Sequence, residues 1–238
     1  MRLLLISNST NAGEEYLDYP KYEIKKFFDN LGHQKIKKAL FIPYAAVTFS
    51  FDDYAKKVNK RFNEIGYEID PIHRYNNAAE AVNNAEAIVV GGGNTFQLIK
   101  MMQENLLIEA IREKVKKGIP YVGWSAGTNV TCPTICTTND MPIVQPKNFN
   151  AFNLVRFQIN PHYLDANPKG HAGETREMRI EEYLEANPDI YVLGLREGTI
   201  LHIEERSIKL IGEKNARLFK KGQKPIELSS EDDFGFLI

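Results

Sequence analysis

The sequence predicts an α/β fold: a mostly parallel sheet with helices on both faces. Three observations predict it. Short apolar runs alternate with amphipathic stretches through the first half of the 238-residue chain, the rhythm of repeated β-α-β units. Two apolar runs end in glycine-rich turns that open into helical patterns, Gly91-Gly92-Gly93-Asn94-Thr95 and Gly123-Trp124-Ser125-Ala126-Gly127. No linker-like stretch, repeat or low-complexity segment interrupts the chain, so residues 1–238 are expected to form one domain. Right-handed crossovers would bring the strand ends, and the loops that follow them, to one rim of the sheet.

In chain order, the first strand is expected over 2–7. Its apolar core is too short for a signal peptide, and Glu14 and Glu15 follow it. Amphipathic patterns predict helices over 21–31, 52–65 and 78–84, and apolar runs predict strands over 39–43, 67–72 and 87–90. The long pattern over 95–117 reads as two helices broken near Asn105, and 120–123 as the strand before the second glycine turn. Residues 131–144, rich in Thr, Pro, Asn and Asp, predict an irregular loop. A strand over 157–160, a helix over 175–186 and a strand over 190–195 come next. The segments 200–203, 207–211 and 216–219 are expected to form a small antiparallel meander.

Composition narrows the function. Hydrophobic residues make up 43% of the chain, enough for a large core. A formal net charge of −1 without charged blocks gives no footprint for nucleic acid or a membrane surface. No run approaches the roughly 20 apolar residues that span a bilayer. Two cysteines, Cys132 and Cys136, make no disulfide framework, so a reduced, cytoplasmic protein is expected. With no histidine or further cysteine nearby they are a poor zinc site, and they read as two partly buried thiols. No metal or cofactor is expected.

The segment 123–127 is a Gly-x-Ser-x-Gly elbow between an apolar strand and a helix start. So sharp a turn favours residues without a Cβ on either side and pushes the serine into the open. The Gly91–Gly93 turn lacks the spacing of a dinucleotide or P-loop site. Beside the elbow, its Gly93 N–H and the N–H of Ala126 would form an oxyanion hole. Among the histidines, His33 and His73 precede the elbow in element-end contexts, and His202 is expected to face solvent. His162 follows Pro161 at a strand end, on the rim where Ser125 belongs, and is the candidate base; His171, between glycines, is its rival. Asp140 and Glu197 are both candidates to orient the base, and the residues alone do not rank them. Glu174, Arg176, Glu177 and Arg179 open a helix, where Arg176 suggests carboxylate binding through its paired donors.

Together these stretches resemble peptidase E, the α-aspartyl dipeptidases among serine peptidases related to class I glutamine amidotransferase folds. The matching segments are 3–9, 41–45, 91–96, 123–127, 138–143, 160–162 and 170–177, nearly the whole chain in order. The resemblance implies a flavodoxin-like three-layer sandwich with a C-terminal antiparallel extension. It implies hydrolysis of Asp-Xaa dipeptides with Ser125 as nucleophile and His162 as base. For the third member, the aspartate matching Asp140 and the glutamate matching Glu197 are two readings, the second fitting a triad geometry better. Arg176 is the implied partner of the substrate's aspartate side chain, with Asn94 and Glu174 as further substrate-binding candidates. Local departures are Thr128, Cys132 and Cys136, expected at most to alter the pocket wall. Alternatives are a cyanophycinase-like hydrolase of β-aspartyl-arginine, or a non-catalytic module holding a nucleotide on the glycine loop. An amidotransferase subunit is disfavoured, because the elbow carries Ser where those use Cys. The implied partner is a small peptide; monomer and homodimer are equally open.

Overall fold

The computed structural model describes residues 1–30, 36–167, 169–170 and 172–238. His33, His171 and Leu31, the expected end of the first helix, lie outside the described residues. The chain runs β1 (Arg2–Ile6), α1 (Lys21–Asp29), β2 (Lys38–Ile42), α2 (Phe51–Glu64), β3 (Glu68–Pro71), α3 (Ala78–Asn84), β4 (Ile88–Val90), α4 (Thr95–Glu104), α5 (Leu107–Lys116), β5 (Tyr121–Trp124) and α6 (Ala126–Asn129). It continues through β6 (Gln158–Tyr163), α7 (Arg176–Ala186), β7 (Val192–Arg196), β8 (Ile200–Glu204), β9 (Ser207–Ile211), β10 (Ala216–Phe219) and β11 (Ile226–Leu228).

A seven-stranded sheet is ordered β3-β2-β4-β5-β1-β8-β9. From β3 to β1 every pairing is parallel, and β8 and β9 add to β1 as an antiparallel edge. Successive strand residues point to opposite faces, and β1 shows both. Leu4 and Ile6 pack with Phe27 and Phe28 of α1 and Val58 and Phe62 of α2. Leu3 and Leu5 pack with Val82 of α3, Leu98 of α4 and Ile111 of α5. That second face also takes Ile159, Leu193 and Leu218 from a four-stranded sheet ordered β11-β10-β7-β6. The outer side of the smaller sheet is covered by Ile180 and Leu184 of α7. The mostly parallel, mixed α/β architecture with an antiparallel extension therefore agrees with the sequence expectation.

Three details differ. The expected meander is split: β8 and β9 join the large sheet, whereas β10 pairs with β7 in the small one. Apolar alternation marks these segments as strands but does not choose their partners, and β11 was not expected. Next, the strand expected over 157–160 runs on to Tyr163 through a bulge at His162, whose φ is 54°. Pro161 does not end it. Finally, His202 is only 26% exposed and packs edge-on against Phe27, at 5.4 Å between ring centroids. Burial pulls its pKa below the usual histidine value.

Candidate active site

The site forms where β5 and β1 of the large sheet meet β6 and β7 of the small one. Ser125 follows β5 with φ 53° and ψ −113°, backbone that an L-residue adopts only at a cost of about 1–3 kcal/mol. Its surroundings hold it there. Ser125 N–H donates to Ile6 O at 3.0 Å, and its carbonyl accepts from Thr128 N–H and Asn129 N–H, each at 2.9 Å. The flanking glycines are required by close approach: a Cβ on Gly123 would lie 2.4 Å from Gly127 O, and one on Gly127 2.2 Å from Val90 O.

The bulge on β6 turns the His162 ring toward the serine. His162 Nε2 lies 2.9 Å from Ser125 Oγ, and His162 Nδ1 lies 2.7 Å from Glu197 Oε1. Glu197 follows β7, which pairs in parallel with β6, so acid and imidazole leave the small sheet side by side. A carboxylate on Nδ1 keeps the proton there and leaves Nε2 as the acceptor facing the hydroxyl. His162 and Glu197 are 38% and 43% exposed, so the pair is open to solvent.

Asp140 is engaged elsewhere. Its Oδ2 accepts from Thr95 N–H at 2.7 Å, Thr95 Oγ1 at 2.6 Å and Thr138 Oγ1 at 3.1 Å. It thereby satisfies open donors at the α4 N-terminus, where negative charge is favoured. Asn94 caps the same helix through Gln97 N–H at 3.0 Å and donates to Met141 O at 2.9 Å, which ties the 138–141 loop to the glycine loop.

Gly93 lines the same cleft as Ser125. Its φ of +134° and the 2.3 Å gap between a built Cβ and Ala45 O exclude other residues at this position. Among the described residues, neither the Gly93 N–H nor the Ala126 N–H is engaged by an acceptor. Thr128 is buried beneath the elbow, its hydroxyl 2.7 Å from Ile6 O and 2.9 Å from Gly123 O, rather than in the pocket wall. Of the two cysteines, expected as partly buried, Cys132 is fully buried and Cys136 exposed. Burial pushes the Cys132 thiol up to about 12, whereas Cys136 lines the pocket that holds Arg176.

Arg176 begins α7 in a neighbouring cavity of about 140 Å³, shared with Asn139, Asp140, Asn160, Arg179 and Tyr183. Asp140 lines both this cavity and the serine cleft. Among the described residues no carboxylate is within ion-pair distance of Arg176. Burial and then the nearby Arg179 lower its pKa from the usual arginine value, with Asp140 opposing. Glu174 is exposed and pairs with Arg179 at 3.6 Å, away from the relay.

Several residues at the site had gone unmarked by the sequence motifs. Ser7, fully buried at the end of β1, accepts from His162 N–H at 3.0 Å and donates to Leu195 O at 2.7 Å. Asn8 Oδ1 accepts from Gly198 N–H at 2.8 Å and from Tyr19 Oη at 2.8 Å. A polar Ser-Asn pair closing an apolar strand was the signal, since that strand end lies on the rim. The cleft, about 580 Å³, is also walled by Tyr16, Tyr54, Lys57 and Trp124. Trp124 Nε1–H donates to Tyr16 Oη at 2.9 Å, and Tyr54 Oη donates to Gly92 O at 2.9 Å.

The sequence model of peptidase family S51 matches residues 3–211. The chain belongs to peptidase family S51. Peptidase E of Nostoc sp. (strain PCC 7120) is 55% identical over 237 residues, covering 100% of this chain and 96% of that protein. Peptidase E of Shigella flexneri serotype 5b (strain 8401) is 43% identical over 234 residues, covering 98% and 100%. The crystal structure of a peptidase from an acI-B1 Actinobacterium superposes with a TM-score of 0.71 at 18% identity, covering 98% of this chain and 96% of that one, and shares the fold. As a family S51 member the chain is a peptidase and hence a hydrolase, which removes the reading as a non-catalytic nucleotide module. Among the described residues, no helix is long and apolar enough to cross a membrane.

Proposed function

We propose that this peptidase is a serine-type, cytoplasmic dipeptidase that removes an N-terminal aspartate from Asp-Xaa through an acyl-enzyme. The observation that carries the reading is the relay of Ser125, His162 and Glu197, 2.9 and 2.7 Å long, beside the unengaged N–H groups of Gly93 and Ala126. Ser125 Oγ attacks the aspartyl carbonyl as its proton passes to His162 Nε2, and Glu197 stabilises the resulting imidazolium. The two N–H groups receive the developing oxyanion. The imidazolium then protonates the departing amine. A water that gives its proton to the same nitrogen frees aspartate and regenerates the serine.

Arg176 supports the aspartate preference. A half-buried guanidinium with no ion-pair partner among the described residues is a poor resting state and a good receptor for a carboxylate. Asp140, which lines both cavities, is in this reading the partner of the substrate's free ammonium. The Nostoc and Shigella relatives, named peptidase E, are in line with this reading. The test is a hydrolysis panel of Asp-Leu, Glu-Leu, Asn-Leu, β-Asp-Leu and acetyl-Asp-Leu, with a serine-directed acylating reagent used in parallel. Preference for Asp-Leu, and labelling that is lost in Ser125→Ala, are the expected results. Preference for β-Asp-Leu would turn the assignment toward a β-aspartyl hydrolase.

A further inference from the structure

The serine cleft lies at the carboxyl ends of the central strands of the large sheet. Its Asp140 side is carried by the start of α4, on one face, and its Tyr16 side adjoins α2, on the other. Of the described residues lining the cleft, Lys57 is the one lysine or arginine. It lies on α2, with Nζ 4.0 Å from the centre of the Tyr16 ring. That ring is itself fixed by the hydrogen bonds of Tyr16 to Trp124 Nε1 and to Tyr54 Oη, the latter at 3.0 Å.

Lys57 has no carboxylate within ion-pair distance among the described residues. Asp53, one turn earlier on the same helix and lining the same end of the cleft, is taken by Lys56 at 3.6 Å and by Ser50 Oγ at 2.7 Å. The other titratable groups among the described residues lining the cleft are Asp140, which serves α4, His162, which faces Ser125, and the phenols of Tyr16 and Tyr54, which burial keeps protonated. The cleft thus offers a carboxylate, Asp140, shared with the Arg176 cavity, and an ammonium, Lys57, on its α2 side. A dipeptide has the same polarity, with an ammonium at its first residue and a carboxylate at its second.

Building on the aspartyl-dipeptidase reading, we propose that Lys57 receives the C-terminal carboxylate of the leaving residue and so selects dipeptides over longer or amidated substrates. In a dipeptide that carboxylate lies one residue past the scissile bond. In a tripeptide it moves outward by up to about 3.6 Å, and in a dipeptide amide its charge is gone. The Tyr16 ring keeps the ammonium over the cleft through a cation–π contact, which reduces the rotamer freedom that an exposed lysine loses on pairing.

The test compares kcat/KM for Asp-Leu, Asp-Leu-amide and Asp-Leu-Gly in the wild type, Lys57→Met and Lys57→Arg, each shown folded by thermal melting. Expected is a wild-type preference for Asp-Leu over its amide of about tenfold or more, a gap appropriate to one charge-assisted contact. Lys57→Met should bring that ratio close to one, and Lys57→Arg should restore most of it. An unchanged ratio in folded Lys57→Met, or a wild type indifferent to the terminal charge, overturns the proposal while cleavage of Asp-Leu still stands. A wild type that cleaves no Asp-Leu at all removes the dipeptidase reading and this proposal with it.

Discussion

Along the seam between the two sheets Ser125 and His162 are held by hydrogen-bonded partners, whereas on the rim beside it Arg176 and Lys57 have no carboxylate partner among the described residues. On the seam, Ser125 and His162 both occupy positive φ, and buried hydrogen bonds from Ile6, Ser7 and the start of α6 hold each in place. On the rim, Arg176 and Lys57 face cavities with no carboxylate in ion-pair contact among the described residues. A relay must be correct before substrate arrives, because any reorganisation during reaction adds to the barrier. A specificity group gains by the opposite arrangement: its charge is satisfied only when the right ligand completes it.

The comparison breaks most directly at the nucleophile. Ser125→Ala should lower kcat for Asp-Leu by at least about 10⁴-fold with an unchanged fold, since the remaining groups then have no atom to activate. Near-normal turnover in a folded mutant would remove the relay from the mechanism. The next effect separates the two acids. Glu197→Gln should cost about 10³-fold in kcat, because an amide at His162 Nδ1 neither fixes the tautomer nor stabilises the imidazolium. Asp140→Asn should raise KM for Asp-Leu, through the lost partner of the substrate ammonium, and lower thermal stability by about 0.5–1 kcal/mol, through the α4 terminus it serves, with kcat little changed. If kcat responds to Asp140→Asn as strongly as to Glu197→Gln, the seam and rim assignments are reversed.

Local pattern made part of this legible. The elbow and the glycine loop declare themselves by type and spacing; His162 is singled out beside Pro161, although the strand runs on past both. The main helices and strands follow from apolar periodicity. What did not show in the sequence depends on which strands become neighbours. Glu197, and not Asp140, lies against His162 Nδ1 because β7 lies beside β6. The cleft wall joins Trp124 to Tyr16, 108 residues apart, through a hydrogen bond that no motif records. The His162 bulge was hidden for a related reason: its N–H points to Ser7 Oγ, on another sheet. The split of the expected meander is the same kind of miss, since alternation identifies a strand without naming its partner.

On the rim the sharper question is whether Arg176 reads the side chain. The ratio of kcat/KM for Asp-Leu to that for Asn-Leu should fall about 10- to 100-fold in Arg176→Ala. Arg176→Lys should recover only part of it, because an ammonium keeps the charge and loses the paired donors. Equal ratios in all three proteins would show that the guanidinium does not touch the substrate carboxylate, and would leave Lys57 as the cation lining the serine cleft.

The smallest effect tests the seam itself. The Ser7 hydroxyl bridges His162 N–H and Leu195 O, and so joins β1 to both strands of the small sheet that lead into the relay. Ser7→Ala leaves a buried N–H and a buried carbonyl without that partner, at the bulge whose strained backbone aims the imidazole. The ring should then sample orientations away from Ser125 without losing its chemistry. The expected outcome is a fall of about tenfold in kcat, with little change in KM. Ser7→Thr keeps the hydroxyl and should recover most of the rate if the added methyl is accommodated. Loss of thermal stability alone would not reproduce this pattern, since kcat is measured on the folded fraction. A Ser7→Ala enzyme with wild-type kcat would show that Glu197 and the elbow hold His162 without help from β1.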